Sequence, residues 1–295
     1  MRKQKNPETL YDYKSRTRAQ EVWRQFRKNK GAMAAMIFII LLSVMAITID
    51  WWLPEEKYVG MNFRALLKPP CKEYWFGTDE TGRDMFWRVL YGARYSLAIG
   101  IFSVIIAFII GIPLGAVAAY FGGVTEDIIM RLNEIFAAVP SILMAIVVVA
   151  SLGTGQANLM VAVGISAAPA ITRITRASVL TVKNEEYVEA AKALGKSDMY
   201  IIFKHILPNC LSPIIVQFSL RVANAIISAS SLSFLGLGVQ PPTPEWGALL
   251  NAGNLYTRMQ PYLTLYPGLA IMITVLAFNL IGDGLRDAME PKLRK

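Results

Sequence analysis

Apolar runs of about twenty residues recur along the chain, separated by polar stretches rich in Lys, Arg, Gly and Pro. A helical run of that length matches the hydrocarbon thickness of a bilayer. The pattern predicts six spans, at roughly 31–49, 95–121, 132–152, 157–174, 211–237 and 263–281. The fourth is interrupted by Pro169. Gly111-Ile112-Pro113-Leu114-Gly115 in the second is tolerable in a membrane helix. Its GxxxG spacing permits close helix approach, and Pro113 is equally readable as a simple kink. The expected fold is an all-α membrane protein with six transmembrane helices. It divides into an N-terminal tail (1–30), a six-span domain (31–285) and a C-terminal tail (286–295). The sizeable polar parts of the domain are an outer loop (51–94), an inner segment (173–209) and a second outer loop (238–262).

Composition agrees: 17% of the 295 residues are charged and the mean hydropathy is +0.41, against about 25% charged in soluble domains. The distribution of charge sets the expected orientation. Twenty-one Lys/Arg fall on the side holding both termini and the 173–204 segment, against eight on the other. Arg131 is counted with the first group, in a short turn between spans two and three, and Arg221 lies inside span five. By the positive-inside rule both termini are cytoplasmic. The net charge of +9 then reads as topology and contact with anionic lipid, not as a nucleic-acid surface. About thirty polar residues precede the first span and no small-residue cleavage site follows it, so that span reads as a retained anchor. Cys71 is expected outside and Cys210 near the inner face, so they do not pair.

Gly195-Lys196-Ser197 is the tail of a phosphate-binding loop, but Ala190 stands where that loop needs its first glycine. No strand precedes it, and 189–194 are helix formers. The helical reading has Asn184 capping a helix from about Glu185, with Gly195 ending it. Ser197 or Asp198 caps a second helix to about Lys204, which stops before Pro208. Of the apolar residues Leu194, Met199, Ile201, Ile202 and Phe203, some suit the membrane helices and others a partner's groove, and composition alone fits a plain amphipathic linker as well.

Glu189-Ala190-Ala191, Gly195 and Leu207-Pro208 carry the spacing of the EAA motif and resemble that of binding-protein-dependent ABC importers. His205 stands where the general motif has Ile. His205-Ile206-Leu207-Pro208-Asn209 resembles the form found in the peptide and nickel permease family. Phe76-Gly77-Thr78-Asp79, Gly82-Arg83-Asp84, Leu232–Gly238, Glu245-Trp246-Gly247 and Gly282–Ala288 followed by Pro291 are similar to segments of the same family, most closely its second, C-type subunit. The resemblance implies a type I ABC importer transmembrane domain whose 173–209 segment holds the coupling helices. Glu189, Ala190, Ala191, Gly195, Leu207 and Pro208 would contact a separate ATPase. It also implies a second permease subunit, two ATP-binding subunits that carry ATP and magnesium, and an extracytoplasmic peptide-binding protein. No cofactor, metal or catalytic residue is expected in this chain. Nickel import is the alternative within the family. An intramembrane enzyme or a channel is a rival outside it, the former lacking a histidine cluster because His205 is the sole histidine.

Arg221 is costly at bilayer depth and should face protein or water. Gln217 and Asn224 share its helical face, a polar stripe fitted to a translocation path or subunit interface; a structural pair with a neighbouring helix is the other reading. Glu134, three residues after Arg131, reads as a satisfied interfacial group. In 76–84, Thr78 or Asp79 is expected to cap an outer helix, and the family resemblance implies contact with the binding protein or partner permease as an open alternative.

Overall fold

A computed structural model of the chain describes residues 18–289; the rest of the predicted tails lies outside the described residues. The elements are α1 (Arg18–Phe26), α2 (Lys30–Trp52), α3 (Glu56–Val59), α4 (Met85–Phe121), α5 (Gly123–Ala138), α6 (Ser141–Leu152) and α7 (Gln156–Leu180). They continue with α8 (Glu186–Ala193), α9 (Asp198–Ile201), a π-helical turn (Ile202–Ile206), α10 (Leu207–Asn209), α11 (Leu211–Phe234), α12 (Trp246–Asn254) and α13 (Tyr262–Met289). No strand forms among the described residues beyond one isolated bridge between Thr78 and Asp84.

Five helices, α2, α4, α7, α11 and α13, are long and apolar enough to cross a bilayer. The third predicted span is not a straight helix. It is the pair α5 and α6, bent by 89°. Pro140 is the cause: it disfavours helix at the preceding Val139, which is extended at φ −86°, ψ 129°. The tight turn before α5 is made by Gly122 and Gly123, both at positive φ, so Arg131 lies within α5 and not in a turn. Two spans are longer than their apolar cores. α4 starts at Met85 and α7 runs to Leu180, because their polar ends are buried against other elements instead of ending the helix. α11 stops at Phe234, where Gly236 takes φ +79° and the Leu237 N–H reaches back to the Leu232 carbonyl.

The most extensive contact in the bundle is α4 against α7. A Cβ on Gly111 would lie 2.7 Å from Ile171 Cβ, and one on Gly115 would lie 2.4 Å from the Thr172 carbonyl oxygen. The GxxxG therefore works as a close-approach surface, and α4 continues through Pro113. A core of Leu97, Ile99, Val104, Leu159, Val222 and Ile226 joins α4, α7 and α11. α13 closes the bundle, with Gly282 packed on Leu220, and Gly284 on Ala32 and Phe26. These contacts set α1, the 181–210 segment and the end of α13 at one end of the molecule. The 53–84 loop and α12 lie at the other.

That second end is welded by the 76–84 loop. Thr78 is fully buried, its hydroxyl bonded to the Ala65 carbonyl and the Lys68 N–H, and its carbonyl accepts from Tyr262. Asp79 accepts from the Thr81 and Arg83 N–H groups, the Thr81 hydroxyl and Arg83 Nε. Neither residue caps α4; Asp84 does, accepting from the Phe86 N–H. Thr78 and Asp79 are taken up by the loop's own turn, which leaves Asp84 next to the helix.

Candidate coupling site and intramembrane cavity

α7 ends at Leu180, and the chain turns back toward α4, where Lys183 donates to the Ala119 carbonyl. α8 then begins after Glu185. Asn184 is not its cap, and no side chain caps it; Glu185 itself occupies the N-cap position in extended conformation. Val188 and Ala191 of α8 are buried, while Glu189 and Ala190 are exposed. The EAA triplet is thus divided: Ala191 packs against this chain, and Glu189 and Ala190 face away.

Gly195 ends α8 at φ +71°. Its N–H bonds to the Lys192 carbonyl, and the Lys196 N–H bonds to the Ala191 carbonyl. These two bonds define a Schellman cap, which satisfies carbonyls that the helix end would otherwise leave open. Gly195-Lys196-Ser197 is therefore a helix-to-helix turn. Ser197 occupies the next N-cap position but makes no side-chain capping bond.

The second helix does not stop before Pro208. It passes from α9 through the π-helical turn into α10, with Pro208 placed directly after that turn. Ile201, Ile202 and Ile206 are buried with Ala116, Ala119 and Val179 of α4 and α7. Tyr120 donates to Asp198, and Lys192 lies over the Tyr120 ring. The segment is seated firmly on the bundle, yet Leu194, Met199, Tyr200 and Phe203 remain exposed, Leu194 by 77%. Leu207 is half-buried and Pro208 exposed. His205 packs edge-on to Tyr200.

The polar stripe of α11 meets two cavities. Arg221 and Asn224 line one of about 270 Å³, with Arg173 and Pro169 of α7 and the Val139-Pro140 break. Gln217 lines a neighbouring one with Ser212 and Arg286. By sequence Arg173 groups with the inner basic segment; the structure sets it within α7, on the wall of the Arg221 cavity. A cation following an apolar helical run without a break was the available signal. Glu126 pairs with Arg176, tying α5 to α7, another contact that spacing alone does not reveal. Glu134 lies 3.5 Å from Arg131, with both side chains exposed, so the pair contributes at most about 1 kcal/mol.

Residues 111–295 match the family described as binding-protein-dependent transport system inner membrane component. Residues 17–70 match the N-terminal transmembrane domain of oligopeptide transport permease C. The chain is 46% identical over 285 residues to the glutathione transport system permease protein GsiD of Pectobacterium atrosepticum, covering 97% of this chain and 95% of that protein. It is 48% identical over 279 residues to the GsiD of Escherichia coli, covering 95% and 92%. Among solved structures it is similar to an inward-facing MetNI methionine ABC transporter, with a TM-score of 0.57 and 20% identity over 70% of this chain and 98% of that one. The last likeness concerns the fold alone. An all-α bundle with five long apolar helices and one broken pair, matched along nearly its whole length by such permeases, belongs to the family of inner-membrane components of binding-protein-dependent transport systems.

Proposed function

We propose that this chain is one of two permease subunits of an ATP-driven importer that carries di- and oligopeptides into the cytoplasm. The observation that carries the mechanism is the coupling segment: two helices joined by a Schellman turn at Gly195, anchored on α4 and α7, with Glu189, Leu194, Met199 and Phe203 turned outward. Anchoring on one side and exposed apolar groups on the other suit a segment that passes motion from an ATPase groove to membrane helices. The substrate class rests on the relatives, which transport glutathione, a tripeptide. ATP and magnesium are held by two partner ATPases, and substrate arrives from an extracytoplasmic binding protein. The second permease subunit completes the path, and the Arg221 and Asn224 face lines it. The excess of Lys and Arg at the coupling end supports a cytoplasmic position for that end.

Proteoliposomes holding the four-subunit assembly should accumulate labelled di- and tripeptides when given binding protein outside and ATP inside. Assemblies that hydrolyse ATP on addition of binding protein yet carry no peptide would overturn the substrate class. Assemblies in which this chain retains no ATPase would overturn the mechanism.

A further inference from the structure

We propose that Arg173 and Arg221 form an anion station in the translocation path that takes the free carboxylate of the passing peptide; this rests on the importer reading above. The two residues come from different helices, α7 and α11, and share the wall of one cavity. Among the described residues neither guanidinium has a hydrogen bond or a carboxylate partner, and no Asp or Glu lines the cavity. Each lies within the field of the other. Two unpaired like charges beside apolar helices are costly, and the cost falls when an anion sits between them.

The α5–α6 break adds to the same field. Val139, Pro140 and Ser141 line the cavity, so the N-terminus of the twelve-residue α6 opens onto it. No side chain caps that end. Its unbonded N–H groups and the positive end of its dipole favour an anion. Half-helix ends aimed at a mid-membrane cavity serve this purpose in other transporters. Ser166, Ser228 and Asn224 supply neutral hydrogen-bonding groups around the two cations. At about 270 Å³ the cavity is near the lower bound of small-molecule sites, which fits one half of a site shared with a second subunit. Arginine suits a carboxylate because its planar fork matches the two oxygens.

The test uses the full assembly in phosphatidylcholine nanodiscs, which removes anionic headgroups as an alternative occupant. This chain carries Cys71→Ser, Cys210→Ala and Asn224→Cys, and its partners lack reactive cysteines. An anionic methanethiosulfonate should modify position 224 about tenfold faster than a cationic one of similar size. Arg173→Gln with Arg221→Gln should reduce the ratio to about one, and the double lysine variant should keep most of it. A tripeptide with a free C-terminal carboxylate should slow modification, and its C-terminal amide should not. A ratio near one with both arginines present, or equal protection by acid and amide, overturns the proposal. The first of these needs no arginine variant to fold. Uptake into proteoliposomes by the assembly with its natural residues separates the two levels: no peptide transport there sinks the importer reading, whereas a charge-indifferent cavity sinks the anion station.

Discussion

Gly195 is constrained by its backbone alone. It sits at φ +71°, and a Cβ there would meet nothing within 4 Å. A substitution is therefore strained without being crowded. Gly195→Val, β-branched, should distort the turn, whereas Gly195→Asn should retain it, because Asn tolerates the left-handed region. Both should insert normally, and the valine variant should lose ATPase co-purification and transport that the asparagine variant keeps. Equal behaviour of the two would remove the turn from the coupling mechanism. Two buried carboxyls at the opposite end behave in contrary ways. Burial pushes Asp79 up, but the charges of Arg88 and Arg83, the Arg83 N–H and the Thr81 hydroxyl outweigh it and hold the group below its ordinary 3.8. Its contribution is fully present above the ordinary carboxylate value and is lost as pH falls through the depressed one. Asp79→Asn should cost about 3 kcal/mol at neutral pH, leaving buried Arg88 without its paired carboxylate and Arg83 with Glu80 alone. Glu245 is fully buried, bonded by Ser96 and the Ala248 N–H, and burial dominates to raise it. Its ionised form is disfavoured by the fold, so stability falls as pH rises from its unfolded value toward its raised folded one. Glu245→Gln keeps one acceptor oxygen for the Ala248 N–H, turns an amide donor toward the Ser96 hydroxyl and removes the ionisation; stability at neutral pH should shift by no more than about 1 kcal/mol, far less than for Asp79→Asn.

Helix packing sets a different kind of limit. The α4–α7 contact depends on backbone approach at Gly111 and Gly115, where the nearest atoms include the Ala168 and Thr172 carbonyls. A carbonyl in a helix cannot swing aside as a side chain can. Gly115→Leu should separate the two helices and cost at least about 3 kcal/mol, read as loss of the subunit from the membrane fraction. The 181–210 segment hangs on one end of the same pair, through Lys183 on Ala119 and Tyr120 on Asp198. Tyr120→Phe removes one exposed hydrogen bond without creating a void. It should leave assembly intact and reduce the ATP-to-transport coupling ratio, measured as peptide carried per ATP hydrolysed; an unchanged ratio would show that the apolar seating of Ile201, Ile202 and Ile206 transmits the motion without it.

For the assembled molecule the prediction concerns sidedness. Cys71 is exposed at the end opposite the coupling segment. Cys210 is 2% exposed, with its thiol against the Ser178 carbonyl. Its failure to react would reflect burial and would not report on sidedness. Lys196→Cys, on the exposed turn of the coupling segment, is the better probe. In intact cells an impermeant thiol reagent should label Cys71 and leave Lys196→Cys untouched, with the reverse in inverted vesicles. Labelling of both from one side would overturn the through-membrane arrangement.

The membrane class, most of the span positions and the EAA spacing were legible in the chain, because apolar run length and motif spacing are local quantities. Gly195 was readable for the same reason: a glycine after a run of helix formers ends a helix by its own backbone freedom. The break at Pro140 was also written locally, yet the apolar residues on both sides masked it as one span. What folding alone decided are the relations between distant segments. Ala191 turned inward and Glu189 outward because α4 and α7 offered one side of α8 an apolar seat. Asp84 became the cap of α4 because the buried turn at Asp79 used up its neighbours. Arg173 and Arg221, 48 positions apart in the chain, came to face one cavity only when α7 packed beside α11. Their shared field depends on distance in space, which residue order does not encode until the helices have chosen their neighbours.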